Sequence, residues 1–318
     1  MKRSLLKLPA SVFNFHRIPN RRSFERILRS MTKLWRPVSL EEVKRMYQSS
    51  DFDAAVFHVT FDDGDLTFYR NALPVLIKLQ VPVSVFVSPR TLSDGRNFWF
   101  QEIEGYDEWE LRKSVSTVLR STSPPPSHLT VHAILKSLPI AQIWEIIKYY
   151  RLRTGTARKP RLNMCTHQLK DAMQHASVEV GAHTLNHPIL ANETAWASRS
   201  EVVDSILELE DLLKAPVRYF AYPNGVFSVD FGTRELRYLD DAGVELAFAV
   251  SERPLSRADH RLIVPRFDAP AAHLSKPAVT KYAAKYLSSC YCPNAKALFA
   301  QSREIANRLK ARQWLSGL

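Results

Sequence analysis

The feature that most constrains this chain is a pair of apolar runs joined by one segment of helix length. Residues 54–61, AAVFHVTF, are rich in β-favouring side chains. Residues 81–89, VPVSVFVSP, form an almost continuous apolar run, the mark of a strand buried on both faces. Between them DLTFYRNALPVLIKLQ (65–80) carries its apolar positions at helical spacing. Strand, helix and doubly buried strand make a βαβ unit, so the sheet is expected to be parallel.

The same rhythm runs through most of the sequence. SVFNFHRI (11–18) alternates as a short strand, residues 23–35 read as a helix, and SLEEVKRMY (39–47) opens with a Ser cap and a Glu at the third helical position. THQLKDAMQHA (166–176) reads as a helix, VEVGAHT (178–184) as a strand and SRSEVVDSILELEDLLK (198–214) as an amphipathic helix. VRYFAYP (217–223), LAFAV (246–250) and LIVPRF (262–267) read as further strands. Residues 94–161 break the pattern. An aromatic cluster, NFWF, leads to an acidic segment, a linker STSPPPSH and a helical stretch VHAILKSLPIAQIWEIIKYYRLR. The expected fold is α/β: a distorted (β/α)7-type barrel over residues 11–270, with a helical insertion at about 94–161 and a C-terminal helical extension over 271–318.

Composition narrows the function classes. The chain of 318 residues is 45% hydrophobic and 24% charged, as a globular protein should be. Its three cysteines, Cys165, Cys290 and Cys292, are odd in number and make a poor disulfide framework, which favours a reducing compartment. Cys290 and Cys292 lack the second pair that a zinc site would need. No apolar run approaches the roughly 20 residues needed to span a bilayer. The basic start is broken by Lys7 and Pro9 and reads as the approach to a strand rather than a signal peptide. The net charge of +12 is spread along the chain, with mild concentrations at Arg17–Arg29, Lys148–Arg161 and Arg303–Arg312. There is no dense polybasic tract and no nucleic-acid motif, so no nucleic-acid partner is expected. A solvated basic surface, or attraction to an acidic substrate or an anionic membrane surface, accounts for the charge.

In a β/α barrel the chemistry sits at the C-terminal ends of the strands. Asp62, Asp63, His183, His187, Pro223 and Asn224 all follow expected strands. In HVTFDDGD (58–65) three aspartates fall within four positions, although strands avoid Asp and neighbouring carboxylates repel. In GAHTLNHPIL two imidazoles four residues apart can converge on one metal if the chain turns between them, and Pro188 fixes that turn. Each signal alone is ordinary: Asp-Asp-Gly is often a capped turn, and ten histidines produce chance pairs.

Together, TFDDG and the downstream HTLNH resemble the motifs of polysaccharide deacetylases of the NodB-homology, family 4 carbohydrate esterase type. FAYPNG (220–225) resembles the third motif of that family, and AGVELAFAV (242–250) and LIVPRF (262–267) its closing segments. FNFHRIPN (13–20) looks like the YHxV opening of one branch, which includes enzymes acting on poly-N-acetylglucosamine. The resemblance implies that Asp63, His183 and His187 hold one divalent metal, zinc by default, with cobalt, nickel or manganese as alternatives. It implies Asp62 as the general base, the N–H of Asn224 just after Pro223 as the oxyanion donor, and Tyr222 as a wall of the sugar site. Gly64 permits the turn that points both carboxylates inward, and Asp65 is read as a helix cap.

Two departures stand out. Many members supply the general acid from a C-terminal Leu-x-His motif, which is absent here: AAHLS has His273 in the wrong order and His260 lies in a polar loop. The branch with the YHxV opening places that acid on the first strand, which maps onto His16. The third-motif Arg that braces the base is replaced by Ala221, leaving Arg266 as the candidate brace and Arg218 as a second cation to consider. Phe98, Trp99 and Phe100 are read either as a sugar-stacking wall or as packing of the insertion, and Trp196 is open between the same two roles.

The expected function is metal-dependent hydrolytic removal of N-acetyl groups from an amino sugar in a glycan or glycolipid. The alternatives are a glycan-binding protein without turnover, motivated by Ala221, and a hydrolase of another non-peptide C–N bond. The expected location is cytoplasmic, peripheral at the inner membrane face, where lipid-linked or nucleotide-linked precursors are met.

Overall fold

The computed structural model describes residues 8–269 and 295–318, apart from Asp53 and Ser123. Eight parallel strands are present among the described residues: β1 Ser11–Phe15, β2 Arg36–Pro37, β3 Val56–Phe61, β4 Val83–Val87, β5 Val178–Ala182, β6 Tyr219–Ala221, β7 Leu246–Phe248 and β8 Phe267–Asp268. Seven lie in the order β7-β6-β5-β4-β3-β1-β8, and β2 pairs with the start of β3. The residues leading into β8 run beside β7, where Ala249 N–H donates to the Val264 carbonyl and Val264 N–H to the Ala247 carbonyl. The path β7 to β8 to β1 is thereby joined, and the architecture is the distorted (β/α)7 barrel expected from the strand–helix rhythm.

The strands are buried because they are apolar on both faces. β1, β3 and β4 are buried at every position, with outer helices covering them as a parallel sheet requires. These helices are α1 Arg21–Met31, α2 Leu40–Ser49, α3 Leu73–Leu79, α4 Pro89–Asp94, α9 Thr166–Ala172, α10 Ala195–Leu213 and α11 Thr233–Asp241. Local chemistry starts them: the Asn20 side chain accepts from Ser23 N–H (2.9 Å) and the Ser39 hydroxyl from Glu42 N–H (3.3 Å). The helix expected over 65–80 is less regular than its pattern. It opens with a π-helical turn, Phe68–Ala72, ahead of α3. Pro74 has no N–H for the Arg70 carbonyl, which instead accepts from the Arg21 guanidinium at 2.5 Å.

The insertion is helical, as α5 Trp99–Ile103, α6 Glu108–Val118, α7 Val131–Leu135 and α8 Ile140–Thr154. The stretch read as one helical run divides at Pro139, which caps α8. The C-terminal helix, α12 Ala295–Leu315, packs on α7. The insertion and α12 share a hydrophobic core of their own, built from Trp99, Val115, Leu135, Ile146 and Ala311 among others. The strand expected over 262–267 is reduced to Phe267–Asp268, because Pro265 cannot donate to a ladder. Cys290 and Cys292 lie outside the described residues, and Cys165 is a free, half-buried thiol. Among the described residues no helix is long and apolar enough to cross a membrane.

Candidate active site

The site lies where β1, β3, β5 and β6 end. Asp62 N–H donates to the Phe15 carbonyl (3.1 Å), so the carboxylates begin one residue past the paired strand. The chain then reverses through left-handed backbone at Asp63 (φ 70°) and Gly64 (φ 65°). A side chain at Gly64 has no room: its Cβ would lie 2.9 Å from Val87 Cγ1. Thr184 (φ 63°), His187 (φ 57°) and Asn224 (φ 58°) are left-handed as well. Ser50, Gln80 and Lys214 adopt this conformation as ordinary helix caps. Asp63, Thr184, His187 and Asn224 adopt it in the loops around one cleft, where strain is characteristically stored.

Asp62 is held from every side. The fully buried Arg266 guanidinium donates two bonds to it, Nη1 to Oδ1 and Nη2 to Oδ2, each 2.8 Å. Asn14 Nδ2 adds a third (3.0 Å). Arg266 Nη1 also donates to Asn14 Oδ1 (3.0 Å) and Thr60 Oγ1 (3.2 Å), and the group lies over the Phe86 and Phe248 rings at 5.7 and 5.8 Å. Burial alone would raise the Asp62 carboxyl, but Arg266 and the neighbouring His183 hold it well below the usual carboxylate range. The cation that Ala221 cannot supply thus arrives from the segment before β8. Arg218 points elsewhere, to Glu245 at 2.9 Å. Asn14 was missed by reading the sequence; a polar residue inside an otherwise apolar strand was its signal.

Asp63 is the opposite case. It is buried, and its Oδ1 has no hydrogen-bond partner. His183 Nε2 and His187 Nε2 stand 3.6 and 3.5 Å from that oxygen. The His183 ring is oriented by its Nδ1, 2.7 Å from the Ala221 carbonyl, which fixes the proton there and leaves the Nε2 lone pair toward Asp63. His187 is buried, its Nδ1 also lacks a partner, and the Phe98 and Phe100 rings pack against it at 5.2 and 4.9 Å. Burial, and the adjacent Asp62 and Asp65, raise the Asp63 carboxyl, with nearby histidines opposing. Burial and His183 push His187 well below the ordinary imidazole value. One ligand atom from each of Asp63, His183 and His187 lies within 4.8 Å of the others. One buried orphan carboxylate oxygen facing two imidazole Nε2 atoms is an oxygen–nitrogen donor set that fits a single divalent cation.

Asp62, Asn14, His183 and His187 line a cleft of about 400 Å³. His16 stands at its edge, half exposed, with Nε2 3.9 Å from Asp62 Oδ2. Partial desolvation lowers its pKa, but the Asp63, Asp62 and Asp268 carboxylates outweigh that, so the imidazole is raised above its usual value. Tyr222 reaches the cleft while its ring stacks on Phe231 and its hydroxyl donates to the Leu262 carbonyl (3.0 Å). Asn224 lines the cleft, and its buried Nδ2 lacks a partner. Asp65 caps the following turn, accepting from Thr67 N–H (2.8 Å) and Oγ1 (2.6 Å). Trp99 is buried in the core of the insertion and donates to the His187 carbonyl (3.3 Å), whereas Trp196 is 81% exposed. His260 lines a separate depression with Lys44 and Tyr47, and His273 lies outside the described residues. Sequence reading did not anticipate Lys136, Asp230, Glu304 and Arg308 in the cleft wall, since nothing local marks them.

Residues 49–247 match the family model described as polysaccharide deacetylase. Among solved structures, the chain is similar to the deacetylase PplD of Streptococcus pyogenes, determined in complex with acetate. That likeness has 18% identity and a TM-score of 0.56, covering 86% of this chain and 98% of that one. It is similar to IcaB from Ammonifex degensii at 20% identity and a TM-score of 0.55, covering 87% and 97% of the two chains. A de-N-acetylase from Aggregatibacter actinomycetemcomitans aligns at 14% identity and a TM-score of 0.53, covering 86% and 99%. At these identities the likenesses speak to the fold. A search of curated proteins found no match. His16 and Arg266 both fall outside the residues matched by the family model.

Proposed function

This chain belongs to the polysaccharide deacetylase family and is a carbohydrate deacetylase of the hydrolase class, and from that premise we propose that it removes N-acetyl groups from an amino sugar with one divalent metal held by Asp63, His183 and His187. Zinc is the default for two imidazoles and a carboxylate, with cobalt, nickel or manganese also compatible. Bound there, the metal would supply Lewis-acid polarisation of the acetamide carbonyl and make the attacking water more acidic.

The chain's own residues do the rest. Asp62 takes a proton from the attacking water, and Arg266 and Asn14 keep its carboxylate ionised and oriented. A C–O bond forms at the acetamide carbon, and the N–H of Asn224 donates to the oxyanion. The C–N bond then breaks, His16 gives a proton to the leaving nitrogen, and acetate and a free amine result. The neighbouring carboxylates raise His16 above its usual value, the direction that suits a proton donor.

The observation that carries this reading is the contrast at the end of β3: a fully partnered Asp62 beside a partnerless Asp63 facing two imidazoles. The binding-only alternative drew its motive from Ala221, and Arg266 on Asp62 weighs against it. The reading is tested by acetate release from short N-acetylglucosamine oligomers, with and without zinc or cobalt, for the wild type and Asp62→Asn. Metal-dependent release that falls by about 10²–10⁴ in the variant is expected. Stoichiometric metal without release from any such oligomer would overturn it.

The reading extends to location, at an anionic inner membrane face. α1 carries Arg21, Arg22, Arg26 and Arg29 against the single acid Glu25. Co-sedimentation with phosphatidylserine vesicles at low salt checks this, and absence of binding there removes it.

A further inference from the structure

The turn that carries both imidazoles is held from behind by a carboxylate. Between the left-handed Thr184 (φ 63°) and His187 (φ 57°), Leu185 and Asn186 present two successive backbone N–H groups to one oxygen. That oxygen is Oε2 of Glu201 on α10, which accepts from Leu185 N–H (3.0 Å) and Asn186 N–H (2.9 Å). Its Oε1 accepts from Asn186 Nδ2 (2.6 Å). Glu201 is 6% exposed and Leu185 is buried.

Successive N–H groups converging in this way make an anion-binding concavity, and here the anion belongs to the chain itself. Each partner stabilises the other. A buried carboxylate is unfavourable unless donors meet its oxygens. A β-branched residue such as Thr184 keeps left-handed backbone only where its surroundings over-determine it. The end of the turn has two further anchors: His187 N–H donates to the Thr184 hydroxyl (3.0 Å), and the Trp99 indole donates to the His187 carbonyl (3.3 Å). Glu201 ties its middle.

The consequence falls on the group of Asp63, His183 and His187. Where the His187 ring stands relative to His183 and Asp63 depends on the backbone angles of residues 184–187. An ion that must order this turn as it binds loses part of its binding free energy to that ordering, and an ion meeting a turn already held does not. Glu201 reaches these ligands only through the backbone and side chain of the residues between them.

We propose that Glu201 is a positioning residue, whose buried carboxylate presets the turn between His183 and His187 so that the metal seat is formed before the ion arrives. This rests on the reading of Asp63, His183 and His187 as a metal seat.

The test is zinc affinity, measured by competition with a chromophoric chelator, for the wild type, Glu201→Ala and Glu201→Gln. Glu201→Ala should weaken zinc binding about tenfold or more. Glu201→Gln keeps one oxygen for the two backbone N–H groups and should recover most of that loss. Leu209→Ala, about two helical turns further along α10, empties a fully buried position and lowers stability. Its zinc affinity should stay within about twofold of the wild type, which separates positioning from a general loss of stability. Amide hydrogen exchange gives a second reading that needs no variant: in the metal-free wild type the N–H groups of Leu185 and Asn186 should already be protected. Zinc affinity of folded Glu201→Ala within about twofold of the wild type overturns the proposal. So does an equal loss in Leu209→Ala, or fast exchange of the two amides before metal is added. Failure of the metal reading looks different: the wild type itself binds neither zinc nor cobalt although both amides are protected, and the proposal falls with it.

Discussion

The two sides of the strand ends are built on opposite plans. On the β1–β8 side, Asp62, Arg266, Asn14 and Thr60 satisfy one another through buried hydrogen bonds of 2.8–3.2 Å. On the β5 side, Asp63 Oδ1 and His187 Nδ1 are buried with no partner. Adjacent residues of one chain, Asp62 and Asp63, therefore sit in a closed network and in an open one. The closed network carries its own countercharge and holds its shape. The open one leaves the Asp63 oxygen, faced by two imidazole Nε2 atoms, available to a cation. That division suits a hydrolase, in which the base must already be oriented while the neighbouring positions stay available.

The comparison can be broken most severely at Arg266. Arg266→Met should cost about 3–5 kcal/mol of stability by stranding the buried Asp62 charge, read by chemical denaturation, and it should reduce acetate release as well. Adding Asp62→Asn to that variant should restore part of the stability and none of the activity. On the open side the sign reverses with metal. Zinc at about 100 times its Kd should add about 2.7 kcal/mol, visible as a rise in the thermal midpoint that Asp63→Asn removes. No rise with zinc, cobalt, nickel or manganese would mean that the open side is not a cation seat.

β3 offers a third case for calibration. His58 is buried and satisfied by neutral groups, with Nδ1 2.7 Å from the Val38 carbonyl and Nε2 2.8 Å from the Ser84 hydroxyl. Burial pushes its pKa down to about 4 from an ordinary 6.5. The folded protein therefore binds this proton less readily than the unfolded chain. The stability from the neutral ring is complete above pH 6.5 and is lost as pH falls from there toward 4. Between pH 7.5 and 5 the loss should be about 2 kcal/mol, and His58→Gln should flatten that part of the profile. The smallest effect belongs to Asp63→Asn in metal-free protein. Replacing an unpartnered buried carboxylate should stabilise the fold by about 1 kcal/mol, and a destabilisation of that size would show that Asp63 is already partnered.

Much of the barrel was legible because its determinants are local. Period-free apolar runs at 81–89 and helical spacing at 65–80 can be read within a window of a few residues. Pro74, Pro139 and Pro265 left their marks as a widened turn, a divided helix and a strand cut to two residues. Their presence was legible, but the outcome depended on which donors and acceptors stood nearby. Asp62, Asp63, His183 and His187 were likewise visible as short motifs, and their convergence within one cleft follows from the strand ends they occupy.

What remained hidden is what comes from far along the chain. Asn14 lies 48 residues before Asp62 with no local pattern to link them, whereas Arg266, 204 residues away, was named as the candidate brace from the end of its expected strand and only its contact with Asp62 had to be found in space. Arg308 reaches the cleft only because α12 packs on an insertion with its own core. The sequence by itself determined the strands, the helices and the chemical types gathered at the strand ends, since these follow from periodicity and from residue chemistry. The tertiary structure alone decided which cation replaces the one missing at Ala221, which carboxylate is left without a partner, and which helix walls the cleft. Those outcomes depend on burial and on distance in space, which spacing along a chain does not encode.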